Sequence, residues 1–267
     1  MPDTIDFKNG ADYDLYMGKW SRLVGHIFLE WLHLRPRLRW LDVGCGSGAF
    51  TEIIVERCAP VSVQGIDPSE EQLAFARKRS PLKVAEFRQA NAIALPFQDN
   101  AFDVAVMPLV IPFVLDPAKG VEEMARVVCP EGTIAAYIWD MFGGGFPYEA
   151  LQGEMRAMGV PVPVPPSNAV AKIDALRELW VGAGLKNVAT REINVKRTFA
   201  DFDDYWTTIL GGPSVGPGLA AMGSKDLGVL QARMRARTLS DGAGRITLSA
   251  RAIAVKGERP ELSFKNT

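Results

Sequence analysis

Apolar positions recur at helical spacing near the start of the chain. Tyr16, Trp20, Leu23, Val24, Ile27, Phe28, Trp31 and Leu32 share one face and predict an amphipathic helix. It ends before Pro36, because a proline ring disfavours helix in the residue that precedes it. The short apolar run from Leu38 to Val43 reads as a strand, glycines follow at once, and a helical pattern covers Ala49 to about Cys58. The cycle then repeats. Val61 to Ile66 is a strand, and Pro68-Ser69 opens a helix with Glu70 and Glu71 in its first turn, where acids favour the positive end of the dipole. Val84 to Arg88 and Phe102 to Met107 are further strands. Asp116 caps a helix with Pro117 at its first position that runs to about Val128. Glu131-Gly132 predicts a turn into the β-branched and aromatic strand Thr133 to Trp139.

Beyond Trp139 the rhythm breaks at Gly143-Gly-Gly and at the stiff stretch Val160-Pro-Val-Pro-Val-Pro-Pro. A helix from about Ala169 to Val181 resumes the core, followed by a strand over Val188 to Arg197. Helical material covers Asp201 to about Leu239, and a period-two strand spans Arg245 to Lys256. Strands alternating with helices predict an α/β fold, a parallel sheet covered by helices on both faces with right-handed crossovers. One elaborated domain over residues 1–267 is expected, with an N-terminal helical cap over 1–37 and a core over 38–140. The irregular segments 141–168 and 199–244 are expected to be lids or substrate-side insertions, since loops carry specificity while a scaffold holds still.

Composition narrows the function. Lys and Arg total 30 against 31 Asp and Glu, which leaves no basic excess for nucleic-acid phosphates. Met1 to Asp6 is polar and acidic, unlike a secretory signal, and predicts a cytoplasmic protein. The longest apolar stretch, Val104 to Leu115, is too short to span a membrane and is interrupted by prolines. Cys45, Cys58 and Cys129 have neither disulfide-framework nor metal-ligand spacing, and His26 and His33 are the two histidines, so no metal site is expected.

Leu41-Asp-Val-Gly-Cys-Gly-Ser-Gly48 carries the most chemistry. Glycines after a buried strand admit a ligand close to the backbone, and the next helix presents free amides to an anionic group. Such turns also serve nicotinamide and flavin sites, or simply pack a helix on a strand. A second acid, Asp67, ends the next strand in Gly65-Ile-Asp-Pro68, where a carboxylate can accept hydrogen bonds from both hydroxyls of a ribose. Capping of the following helix is its other reading. Asp42, within the glycine motif, is poised to bind a positive amino group, which an amino-acid cofactor has and a dinucleotide lacks.

Four stretches in order resemble the successive motifs of class I S-adenosylmethionine-dependent methyltransferases of the ubiquinone and menaquinone biosynthesis type. They are Leu41 to Gly48, Gly65 to Ser69, Asn91-Ala-Ile-Ala-Leu-Pro-Phe97 with Phe102-Asp103, and Glu123 to Gly132. Tyr16-Met-Gly-Lys-Trp-Ser-Arg22, Phe202-Asp-Asp-Tyr-Trp206 and Ser249-Ala-Arg-Ala252 resemble bacterial relatives of the same group. The resemblance implies a Rossmann-like, doubly wound, mainly parallel seven-stranded sheet with an antiparallel C-terminal strand. It implies S-adenosylmethionine as cofactor and a small-molecule acceptor. It places Gly44 and Gly46 along the methionine moiety, Asp67 on the ribose, Pro68 beside the adenine, and Asn91 with Ala92 at the adenine edge. Asn91 stands where the family usually has Asp, and its amide oxygen can still accept from the adenine amino group. Leu109, just past the fourth strand, falls at the expected place of the sulfonium, or in the core.

Methyl transfer to an aligned, desolvated nucleophile needs a base only if the acceptor arrives protonated. Tyr16 and Asp140 are the candidates, with Tyr13, His26 and His33 behind them. Many relatives carry a histidine where this chain has Pro112. Trp20, Phe142, Phe146, Tyr148 and Trp206 are candidates to enclose an apolar acceptor. The competing readings are a non-catalytic binder of S-adenosylmethionine or S-adenosylhomocysteine, a nicotinamide oxidoreductase, which leaves Asp42 unexplained, and thiol-dependent methylation, which needs the three cysteines to converge.

Overall fold

A computed structural model describes residues 14–79, 84–210, 212 and 215–261. A π-helical turn, Asp14–Gly18, leads into α1 (Lys19–Leu32), which buries Trp20, Val24, Phe28 and Leu32 along one face. The helical units that alternate with the first strands are α2 (Ala49–Cys58), α3 (Glu70–Ala76) and α4 (Pro117–Val127). The strands are β1 (Arg39–Val43), β2 (Ser62–Asp67), β3 (Ala85–Gln89), β4 (Phe102–Pro108) and β5 (Val128–Trp139). Ser69 accepts from the Gln72 amide to cap α3, and Asp116 accepts from that of Lys119 to cap α4, as short polar side chains do at helix starts.

Seven strands form one sheet in the order β3-β2-β1-β4-β5-β7-β6, where β6 is Lys186–Phe199 and β7 is Ile246–Glu258. The first five run parallel, and β7 lies antiparallel between β5 and β6. Alternation divides the core. Trp40, Val104, Val106 and Tyr137 face α1 and α2, while Leu41, Ala105, Met107 and Ile134 face the opposite layer with α4 and α6 (Ile173–Gly182). The chain reverses its direction of winding between β1 and β4, and crevices that hold ligands form at such switch points, outside the carboxyl ends of the strands. Among the described residues no helix is long and apolar enough to cross a membrane.

Two expectations shift. Glu131-Gly132 is a bulge inside β5, which already begins at Val128. Glu131 sits at φ +64° and its amide donates to the Arg259 carbonyl, so strand partners absorb what reads in sequence as a turn. The segment 141–168 contains a helix, α5 (Glu149–Ala157), built on Leu151 and Met155. Between β6 and β7 lie α7 (Phe202–Leu210), α8 (Gly216–Ala221) and α9 (Ser224–Arg237). The β6–β7 ribbon continues past the end of β5: Trp139 pairs with Ala252, yet the ribbon runs on to Phe199 opposite Ile246.

Candidate cofactor-binding cleft

A cleft of about 340 Å³ opens at the carboxyl ends of β1, β2 and β4, a volume within the range of small-molecule sites. Its floor is the glycine loop. The amides of Gly44 and Cys45 both donate to the Ile66 carbonyl, at 2.7 and 2.9 Å, turning the chain across the end of β2. Gly44 has φ +73°, and a Cβ there would lie 2.3 Å from Cγ2 of Val110. The loop after β1 and the turn after β4 therefore meet at a position that only glycine fits.

Asp42 sits fully buried in the cleft wall. Thr51, in the first turn of α2, donates to its Oδ2 at 2.7 Å, while its buried Oδ1 has no hydrogen-bond partner. Burial pushes this carboxyl up to about 7, against the pull of the Thr51 bond and with a further upward push from the charge of Asp67. Ser47 repeats the pattern: it lines the cleft, and its buried hydroxyl has no partner. Buried polar atoms are ordinarily paired, so two open ones facing one cleft mark a place for a polar ligand. Neither Thr51 nor Ser47 was singled out by the sequence. The usable signal is a hydroxyl residue on the glycine turn, and another one helical turn beyond it.

Asp67 closes β2. Its Oδ2 accepts from the Gly46 amide at 3.0 Å and its Oδ1 from the Ser69 amide at 2.9 Å. Burial still holds its carboxyl above the usual range, and the two amide bonds oppose that shift. A carboxylate has about four lone-pair positions, so two remain for a ligand. Capping of α3 falls to Ser69, and Asp67 instead joins the glycine loop to the start of that helix. Pro68 and Leu109 also line the cleft. Leu109 adopts φ +62°, uncommon for a residue with a branched side chain, and its amide donates to the Tyr137 carbonyl at 2.7 Å.

The structure thus brings Asp42, Gly44, Gly46, Asp67, Pro68 and Leu109 to one cleft. It does not bring Asn91 and Ala92 to its lining. Their turn lies beside Asp67, whose carbonyl accepts from the Ala90 amide, but Asn91 Oδ1 already accepts from the Ile93 amide at 3.2 Å. Two residues of the N-terminal segment, Gly18 and Ser21, join the lining instead.

The base candidates lie elsewhere. Asp140 takes Nε of Arg251 at 2.8 Å and the Gly143 amide at 2.8 Å, which makes it the anchor of a turn. Tyr16 is buried and stacked on Tyr148, ring centroids 4.3 Å apart. His26 is paired with Arg57 on the helix surface, where burial and that guanidinium lower its value, and His33 ends α1 in the left-handed region. Tyr13 lies outside the described residues. Of the aromatic candidates, Trp20, Phe146, Tyr148 and Trp206 are core residues, and Phe142 is exposed beneath Lys172. Cys45 is buried in the cleft wall, where burial raises its thiol well above the usual range. Cys129 instead contacts Arg39 and the Asn100 carbonyl near the starts of β1, β4 and β5. Among the described residues no group of acids, histidines and cysteines is arranged to hold a metal.

Residues 41–136 match the model of a family described as methyltransferase domain. The chain is similar to a demethylmenaquinone methyltransferase of Symbiobacterium thermophilum, 36% identical over 43% of this chain and 46% of the relative. It spans about half the length of the curated relatives it matches. In fold it is similar to the YcgJ protein of Bacillus subtilis, with a TM-score of 0.59 and 17% identity over 90% of this chain and 99% of that one. It is also similar to a SAM-dependent methyltransferase of Aquifex aeolicus, with a TM-score of 0.50 and 17% identity over 87% and 92%.

Proposed function

We propose that this chain, whose residues 41–136 match the methyltransferase-domain family model, is an S-adenosylmethionine-dependent methyltransferase acting on a small-molecule acceptor. The observation that carries the proposal is the pair of acids at neighbouring strand ends in one cleft. Asp42 keeps a buried oxygen open, and Asp67 keeps lone pairs beyond its two amide bonds. Oδ1 of Asp42 would accept from the ammonium of the cofactor, directly or through a water. Asp67 would accept from the ribose hydroxyls, with Gly44 and Gly46 along the methionine chain, Pro68 against the adenine and Leu109 near the sulfonium. The Ser47 hydroxyl, without a partner, is a further donor for the carboxylate end. Asn91 and Ala92 stand outside the cleft lining, and the Asn91 amide oxygen, which takes the Ile93 amide, keeps a second lone pair for the adenine amino group.

The bound cofactor would supply a methyl group on a positive sulfur, which leaves as a neutral thioether when a nucleophile takes the methyl carbon. The chain's part is then to align and to exclude water. Ser167 pins the insertion 141–168 to the turn after β4 by bonds to the carbonyls of Pro112 and Val114. That segment and 199–244 are proposed as the outer acceptor-side walls of a single domain.

Calorimetry tests the cofactor site: S-adenosylhomocysteine is expected to bind the wild type at micromolar level and to lose that affinity in Asp67→Ala. An unchanged affinity in the variant sinks the assignment. Release of S-adenosylhomocysteine from a panel of phenols, quinols, amines and carboxylic acids tests turnover.

A further inference from the structure

The cofactor proposed for the cleft carries a carboxylate, yet among the described residues no lysine, arginine or histidine lines that cleft. The ionisable side chains of the lining are Asp42, Cys45, Asp67 and Glu71, each of which becomes negative when it ionises. An anionic group brought among them is repelled, and a buried charge without a partner is costly. The answer to that charge has to come from the backbone and from what stands behind it.

A guanidinium touches the glycine loop from outside the lining. Arg79 lies just past the end of α3, where its amide donates to the Ala76 carbonyl at 3.0 Å. Its Nε donates to the Ser47 carbonyl at 2.6 Å, and a terminal nitrogen donates to Glu52 at 3.0 Å. Both side chains of this ion pair are mostly covered, and the guanidinium also lies over the Phe75 ring, 5.5 Å from its centroid. Glu52 belongs to the first turn of α2 and is itself held by Arg22 of α1. The guanidinium is therefore fixed relative to the helix that the loop leads into.

The peptide joining Ser47 to Gly48 is clamped at both ends. Its carbonyl takes Arg79, and its N–H, that of Gly48, donates to the Cys45 carbonyl at 2.9 Å. Gly48, at φ +79°, then turns the chain into α2, whose first residues Ala49 and Phe50 line the cleft. The first amides of a helix have no partner within it and carry the positive end of its dipole. Ser47, just before them, is buried in the lining with its hydroxyl unpartnered. A clamped peptide fixes where that hydroxyl and the start of α2 point, and a positive charge one peptide behind them adds to their pull on an anion. Arg79 itself stays out of the lining, so it acts through the loop.

We propose that Arg79, held by Glu52 and fastened to the Ser47 carbonyl, is a positioning residue for the carboxylate of the cofactor. The proposal rests on reading the cleft as the cofactor site. Arg79 keeps the Ser47 hydroxyl and the amino end of α2 turned into the cleft, and its charge offsets the three acids of the lining, Asp42, Asp67 and Glu71. The ammonium and the ribose, assigned to Asp42 and Asp67, do not depend on it.

Two probes that differ only in that group test the idea by calorimetry on the whole chain. One is S-adenosylhomocysteine, and the other is S-adenosyl-3-thiopropylamine, the same molecule without its carboxylate. The wild type is expected to bind the first about tenfold more tightly than the second. Arg79→Ala should weaken S-adenosylhomocysteine about tenfold and leave the amine within about twofold, so that the preference disappears. Arg79→Lys, which keeps the charge and a donor, should recover most of it. Should Arg79→Ala fail to fold, Arg79→Gln, which keeps a donor without the charge, is read in the same way. A loop that is merely loosened lowers the affinity for both probes alike. Equal losses for the two probes, an unchanged preference in the variant, or no preference in the wild type overturns the proposal. Failure of S-adenosylhomocysteine to bind the wild type at all overturns the cofactor reading instead.

Discussion

Thr51 Oγ1 donates to one oxygen of the fully buried Asp42 carboxyl and leaves the other oxygen open. Burial raises that carboxyl to about 7, so below this value the ligand-free chain holds a proton there, whereas an unfolded aspartate would already have lost it. Ionisation above about 7 costs the empty fold and favours a bound ammonium. S-adenosylhomocysteine affinity should therefore rise with pH through about 7, and binding at about pH 6 should release a proton. Titration calorimetry in buffers of different ionisation heat measures that proton. Asp42→Asn should bind roughly 10 to 100 times more weakly and lose the pH dependence, the size expected for a charge-assisted hydrogen bond. A flat pH profile in the wild type would remove Asp42 from the ammonium site.

Asp67 has a double role. It accepts from the Gly46 and Ser69 amides, so it shapes the loop that it would share with the ribose. Asp67→Ala should lower stability by roughly 1 to 3 kcal/mol through the orphaned amides, in addition to losing ligand. Asp67→Asn retains an acceptor for one amide and should recover part of the stability without recovering the affinity. Urea denaturation and calorimetry on the same samples separate the two effects.

The repeating strand–helix pattern and the acids at its strand ends were legible because buried parallel strands and glycine turns are written locally. Leu41 to Gly48 and Gly65 to Pro68 contain their own geometry. What the sequence hid depends on contacts far along the chain. Nothing in Glu131-Gly132 says that Arg259 will receive the amide and keep the strand running, and nothing near Asp140 announces Arg251. Asn91 matches a motif position, yet its turn, held to the Asp67 carbonyl through the Ala90 amide, stands outside the cleft lining. Gly18 and Ser21 were visible as a motif but not as a wall, since the packing of α1 against Tyr137 sets their place.

The Asp140–Arg251 pair argues for structure at the end of β5. The carboxylate is mostly covered, and its second oxygen holds the Gly143 amide. Asp140→Asn should cost about 1 kcal/mol in chemical denaturation, in keeping with a partly exposed ion pair, and leave S-adenosylhomocysteine affinity within about twofold. A variant that loses one limb of a pH–rate profile while binding normally would restore Asp140 as a base.

Gly44 and Gly46 are both at positive φ, +73° and +51°, and their surroundings assign them different costs. At Gly44 a methyl would strike Val110, whereas at Gly46 its nearest neighbour would be Gln72 Oε1 at 3.9 Å, so the methyl would enter space beside the cleft. Gly44→Ala should therefore destabilise the chain by about 2 to 4 kcal/mol, from the left-handed backbone and the clash together. Adding Val110→Ala should return the clash portion and leave about 1 to 2 kcal/mol of backbone cost. Gly46→Ala should lose only about 1 to 2 kcal/mol of stability but most of its S-adenosylhomocysteine affinity, because its methyl competes with the ligand for room. Denaturation midpoints and calorimetry of the three variants test this division. If Val110→Ala gives no recovery, the close approach of the two turns is not what requires glycine at position 44.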